Sequence, residues 1–274
     1  MNLIRLGNIN PYIIYVLVFF GILIPLLTPL GFPAVVAPMV KNVYAAVDAL
    51  KPGDTIVMSF DYSAGGSAEI YPQTRAMALQ ALKKNVKIVC IAFSDQGVPF
   101  ADQIVDIYLA AGKKYGEDIV NLGYLTGSET GIAAFLADFA KAVPKDVKGK
   151  ETLSYPLIKE TNTANKVQLI GSFGTGKPGP LEWVRQLAQY KVKYAAGVTT
   201  SMAPQAYPYV QAGQCVGVLA GMVDAAGYEA VIKEPGPATK GMDAQSMGHL
   251  VVIGLVLLGN IAYWAEHGQR RKGA

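Results

Sequence analysis

From Tyr12 to Val40 the chain carries no charged residue, and no other feature restricts its fold as severely. The run Tyr12–Leu30 is long enough, at about 1.5 Å per residue, to cross a hydrocarbon layer of about 30 Å as a helix. Pro25, Pro29, Pro33 and Pro38 follow in its second half. Each lacks a backbone donor, so the sequence predicts a helix that kinks at Pro25, ends near Pro29 and leaves as an extended interfacial strand to Met39. Tyr12 and Tyr15 fall where an aromatic belt would lie. A cleaved leader fits less well, because the apolar run is long and Pro38 follows Ala37, where cleavage would be expected.

A second apolar stretch runs from Met247 to Ala265, with Tyr263 and Trp264 at its end and Arg270, Arg271 and Lys272 beyond. It reads as a second span. The positive-inside rule puts the basic tail and Arg5 in the cytoplasm and the intervening chain outside the membrane. His249 and His267 flank this span and are expected at its interfaces. Asp243 precedes it and is expected to cap or lead the helix. The predicted organisation is a tail and span over 1–40, a domain over 41–240, and a span and tail over 241–274. The lipid bilayer is the first expected partner.

The domain is nearly neutral, with 20 basic against 18 acidic residues from Lys41 to Lys240, half of the chain's net +4 lying in the tails. No nucleic-acid partner is expected from that balance. Cys90 and Cys215 are the only cysteines. One sits in an apolar run and the other in a glycine-rich segment read as a helix; both are expected as small buried hydrophobes. His, Cys and carboxylates show no metal-ligand spacing, and neither a metal nor a cofactor is expected.

Short β-branched runs alternate with helical patterns through this domain, the signature of a parallel sheet covered on both faces. Five strands are predicted: Thr55–Phe60, Lys87–Phe93, Ile119–Tyr124, Val167–Phe173 and Tyr194–Thr199. Crossover helices are predicted over Gln73–Leu82 and Leu181–Ala188, and where Phe100, Ile104, Ile107, Tyr108, Ala111 and Ile132, Phe135, Leu136, Phe139 form apolar stripes. The fold class is therefore α/β, a Rossmann-like three-layer sandwich flanked by one transmembrane helix at each end. Strand orders 3-2-1-4-5 and 2-1-3-4-5 both satisfy five crossovers. The lysine-rich segment Lys141–Lys166 is predicted as a surface excursion.

Ligands of open parallel sheets bind beyond the carboxyl ends of the strands. Those loops are small and polar here, and they offer Asp61, Ser63, Gly65, Gly66, Ser94, Asp95, Ser128, Thr199 and Thr200 to a small molecule. Tight turns and helix caps use the same residue types. The run from Gly171 through Gly176 and Lys177 fits a phosphate-binding P-loop until Pro178 replaces the magnesium-holding hydroxyl residue.

The stretch from Phe60 through Gly65, Gly66 and Ser67 to the strand ending at Phe93 resembles the start of membrane-anchored signal-peptide-peptidase and ClpP-class serine proteases. The resemblance implies that Gly65 and Gly66 bind an oxyanion. Ser94-Asp95-Gln96-Gly97 departs from the family's Ser-Gly-Gly nucleophile pattern, and no general-base lysine is assignable, which puts activity in doubt. Candidate nucleophiles are Ser63, Ser67 and Ser94.

Gly213, Gly217, Gly221 and Ala225 recur every four residues along a segment read as one helix starting near Pro208. Such a stripe admits close backbone approach, either to the domain's own sheet or to another subunit. Asn260, polar within the second span, would hydrogen-bond a neighbouring helix. The double anchor, which fixes the domain's orientation to the bilayer, is the main support for reading a non-enzymatic subunit that assembles with itself or with other membrane proteins, and Asn260 fits it. Two alternatives stand beside it: a ligand-binding or sensing domain, and a serine hydrolase of the class above.

Overall fold

The computed structural model describes residues 10–272, with side chains through residue 264. Arg5 and the side chains of His267, Arg270, Arg271 and Lys272 lie outside the described residues. Two compact units emerge, one formed by 34–238 and the other by 1–33 with 239–274.

The larger unit is an α/β sandwich built on six parallel strands: β1 (Thr55–Asp61), β2 (Lys87–Ala92), β3 (Ile119–Tyr124), β4 (Leu169–Gly174), β5 (Lys193–Val198) and β6 (Val218–Ala220). Their order is β3-β2-β1-β4-β5-β6, which fits the doubly wound, Rossmann-like arrangement. Of the two orders open from sequence, the structure has the one beginning 3-2-1. Strand residues alternate between two apolar layers, as a two-residue period requires. Ile56, Met58 and Phe60 enter one layer, and Val57, Val89 and Ile91 the other.

The first layer is covered by α2 (Pro38–Asp48), α3 (Ser67–Lys83), α4 (Val98–Ala110) and α10 (Gly221–Ile232). The second is covered by α5 (Ser128–Ala137), α8 (Pro180–Leu187) and α9 (Ala203–Gln211), with α6 (Phe139–Ala142) and α7 (Pro156–Thr161) at its margin. The predicted excursion at Lys141–Lys166 contains α7 and is pinned by Asp146. Tyr115 and Tyr155 donate their hydroxyls to that carboxylate at 2.8 and 2.5 Å. Those bonds and backbone donors from Lys148 and Lys150 outweigh its burial and hold it below the usual carboxylate range.

Four expectations are corrected. The segment to Met39 is not extended throughout, because Pro38 opens α2, the position in a helix where proline's missing donor costs nothing. A sixth strand exists, pairing Ala196 with Val218 and Val198 with Ala220 in parallel. That strand interrupts the helix on which the small-residue stripe was read. Gly213 lies in the turn after α9, Gly217 just before β6 and Gly221 at the start of α10, so no continuous stripe forms. Cys215 likewise sits in the turn before β6; both cysteines are free and buried.

In the smaller unit, α1 (Pro11–Leu27) and α11 (Pro237–Lys272) run antiparallel in contact. A Cβ added to Gly21 would lie 3.0 Å from Val251, and one on Gly248 would lie 3.5 Å from Ile22. The helix α1 continues past Pro25 but stops at Leu27, two residues short of the predicted end, where the backbone N–H of Thr28 closes on the Ile24 carbonyl at 2.9 Å. Among the described residues, one helix, Pro237–Trp264, is long and apolar enough to cross a membrane. Leu250, Ile253, Val256 and Leu257 are exposed along it.

Asp243 is 1% exposed, and its carboxylate accepts consecutive backbone N–H groups from Leu30, Gly31 and Phe32 at 2.7, 2.9 and 3.1 Å. Instead of leading a helix, it ties the chain leaving α1 to the side of α11. Charge-assisted bonds of this kind contribute about 1.5–3 kcal/mol each. Asp243→Ala is expected to release the segment, with chymotryptic cleavage at Leu30 of the detergent-solubilised chain rising roughly thirtyfold for about 2 kcal/mol lost. Unchanged cleavage would show that the tie contributes nothing.

Candidate functional site

The strand order reverses between β1 and β4, so the loops leaving these strands meet at the switch point where doubly wound folds bind ligands. Here that point is closed. A Cβ on Gly66 would overlap the Thr175 side chain, and the Thr175 N–H donates to the Asp61 carbonyl at 3.3 Å. Beneath it lies the Asp61 side chain, 5% exposed. Its carboxylate accepts from the Ser59 hydroxyl at 2.8 Å, the Phe93 N–H at 2.8 Å and the Trp183 indole at 3.4 Å. These donors favour the charged form, but loss of water outweighs them and pushes the carboxyl up to about 7.

The open cleft lies one strand over. About 390 Å³ of space is lined by Thr175, Gly176, Lys177, Glu182, Met202 and Tyr209 among others. Its floor is the loop between β4 and α8, and α9 supplies the opposite wall. The volume falls in the range of small-molecule sites. Tyr209, Met202, Leu181 and Pro180 give it apolar surface, while Lys177, Glu182, Gln205 and Thr175 give it polar groups.

The P-loop likeness dissolves at this point. Gly171 is inside β4, paired with Ala195 on one side and Met58 on the other, and forms no loop. The N-terminus of α8 is already occupied, since Glu182 Oε2 accepts the Gly179 N–H at 2.9 Å.

None of the nine residues proposed from sequence as ligand contacts lines this cleft. Asp61 is sealed below the loops. Ser63 precedes a short helical turn, and Gly65 is exposed with only the Ser63 hydroxyl nearby, 3.8 Å from where its Cβ would stand. Ser94 accepts the Gly97 N–H at its carbonyl, and Asp95 accepts the Gln96 N–H at its side chain. Ser128 opens α5 with φ 44°. Thr199 and Ser201 share a hydrogen bond between hydroxyls at 3.2 Å. Thr200 donates its N–H and hydroxyl to Glu69, both at 2.9 Å, and Gly221 packs against that same pair. Thr200 and Gly221 are thus brought together as a structural lock.

The proposed interface residues are scattered as well. Gly213 is exposed at φ 72°, and Gly217 is buried against α2, where a Cβ would lie 2.7 Å from the Met39 carbonyl oxygen. Asn260 is exposed on α11. Among the described residues, none of Ser63, Ser67 and Ser94 bonds to a lysine or histidine; Ser67 donates to the Ala64 carbonyl at 2.7 Å. No nucleophile–base pair supports the protease resemblance.

The signal for the cleft was partly present, because the loop through Lys177 follows a readable strand. Its other wall was hidden with β6. No protein-family model matches the chain, and no curated protein matches it in sequence.

Proposed function

We propose that the chain is a membrane-held binding protein whose α/β domain retains a small molecule in the cleft beside β4 and β5. The observation that carries this reading is the 390 Å³ cleft at the carboxyl ends of parallel strands, the place where open α/β sheets take ligands. It has apolar walls to bury a ligand and a few polar groups to orient it, the mix that such sites use. In this reading α1 and α11 both cross the bilayer. The exposed apolar side chains of α1, from Tyr12 to Leu27, and those of α11 then face lipid. The basic tail stays in the cytoplasm and the domain lies outside it.

Filling the cleft tests the reading. Met202 lies beside Gly179, its Cε 3.6 Å from where a Cβ would stand, so Met202→Trp should occupy the cavity and leave the sheet intact. Thermal-shift screening of the membrane-extracted chain against small polar metabolites should give stabilising compounds that lose about tenfold or more in affinity in Met202→Trp. Hits that bind both proteins equally would place binding elsewhere and sink the proposal.

Assembly with copies of itself or with other membrane subunits is the second reading. It draws on Asn260, a polar side chain exposed among apolar neighbours on α11, since helices in lipid use such groups to bond one another.

A further inference from the structure

A helix that begins at a glycine-rich loop ordinarily invites an anion, because its first N–H groups and its dipole point outward. In this cleft the position is taken by the protein's own carboxylate. Glu182 lies in the first turn of α8, is 7% exposed, and gives one oxygen, Oε2, to the Gly179 N–H. Its other oxygen, Oε1, accepts no hydrogen bond among the described residues, and it is not among the side-chain atoms sealed from solvent without a partner. Glu182 also lines the cleft. A phosphate or carboxylate entering here would meet a desolvated like charge, which is costly. A donor carrying positive charge would complete the half-used carboxylate with a charge-assisted bond.

We propose that the cleft takes a small ligand of amino-acid size bearing a protonated amine, which docks on Oε1 of Glu182. The proposal rests on the cleft reading above and narrows it to a chemical class. Lys177, exposed on the same lining, gives a carboxylate on the ligand's far end a partner. Leu181, Met202 and Tyr209 offer apolar surface to the part between. A single acidic side chain lines the cavity, too few for a divalent cation, which collects several oxygen ligands.

The test uses four probes on the full chain in detergent: L-leucine, L-leucinamide, isocaproate and inorganic phosphate. Leucinamide lacks the carboxylate and isocaproate lacks the amine, so the series separates the two ends. Leucine and leucinamide are expected to raise the melting temperature and the other two to leave it unchanged. Glu182→Gln keeps an oxygen for the Gly179 N–H but replaces the second acceptor with a donor. It should weaken both amines by about tenfold or more. The wild-type comparison stands even if that variant is less stable.

Stabilisation by isocaproate or phosphate that Met202→Trp abolishes would overturn the amine assignment and leave the cleft reading intact. Amine binding that Glu182→Gln leaves unchanged would overturn the role of Glu182. Silence of all four probes would overturn the amine class, whereas the cleft reading stands or falls separately, on the Met202→Trp comparison and on whether the membrane-extracted chain carries a small molecule.

Discussion

Replacing Asp61 with Asn should flatten the pH dependence of stability between about pH 4 and pH 7, where its carboxyl is the group shifted up to about 7. Burial raises the Asp61 carboxyl from 3.8 to about 7 in the folded chain. Between those values the folded protein holds a proton that the unfolded chain has released, so the native state binds more protons and stability falls as pH rises. The contribution is fully present below about pH 4 and gone above about pH 7. At about 1.4 kcal/mol per unit the loss is of order 4 kcal/mol, or roughly 10 °C in melting temperature for a domain of this size. Asp138 and Asp146, both held below the usual range, gain stability with rising pH at the acid end. The measurement is therefore the difference between Asp61→Asn and wild type across the range. Parallel curves would mean that Asp61 stays charged throughout, its three donors having outweighed the loss of water.

Gly97→Ala should be the most damaging single methyl in the fold. Gly97 ends the short turn after β2, and its φ of −76° suits any residue, so backbone freedom is not the reason for glycine. The reason is space. A Cβ there would overlap the Phe60 carbonyl oxygen, which belongs to β1. Neither side of that contact is a rotatable side chain, so relief requires the turn to move off β1 at the centre of the sheet. The expected cost exceeds about 4 kcal/mol, the range reserved for strain with no outlet, and the melting temperature should fall by roughly 10 °C or more. Gly176→Ala is the control, because nothing lies within 4 Å of its Cβ; it should stay within about 0.5 kcal/mol of wild type. Similar melting temperatures for the two variants would show that the turn after β2 yields easily.

The five longer strands were legible because each is a β-branched run bounded by turn residues, and their helices because apolar positions recur at helical spacing. The helix α2 was missed although Val40, Val43 and Val47 carry that spacing and are fully buried. In sequence Pro38 has the look of a breaker, whereas in the structure it starts the helix. The strand β6 was missed for a subtler reason. It has three residues, and the glycines around it recur every four positions, so a turn, a strand and a helix start together imitate one helical face.

The hidden strand conceals the site as well. Without β6 there is no reason to fold α9 back over the end of β5, and α9 provides Gln205 and Tyr209 to the cleft. The polar residues expected from sequence are at the strand ends, as their loops require, but Asp61, Asp95, Thr199 and Thr200 among them are engaged by the protein's own groups. Asp61 and Thr200 show the difficulty well. Both have the chemistry of ligand contacts, and both have a protein partner that only the three-dimensional arrangement reveals.

Native mass spectrometry of the full chain, released gently from its own membrane, tests the central claim most directly because it weighs partners and retained small molecules together. The account expects a chain carrying an added small mass that Met202→Trp removes. A bare chain in a large assembly, unchanged by filling the cleft, would contradict it and would move attention to Asn260 and the surfaces of α11.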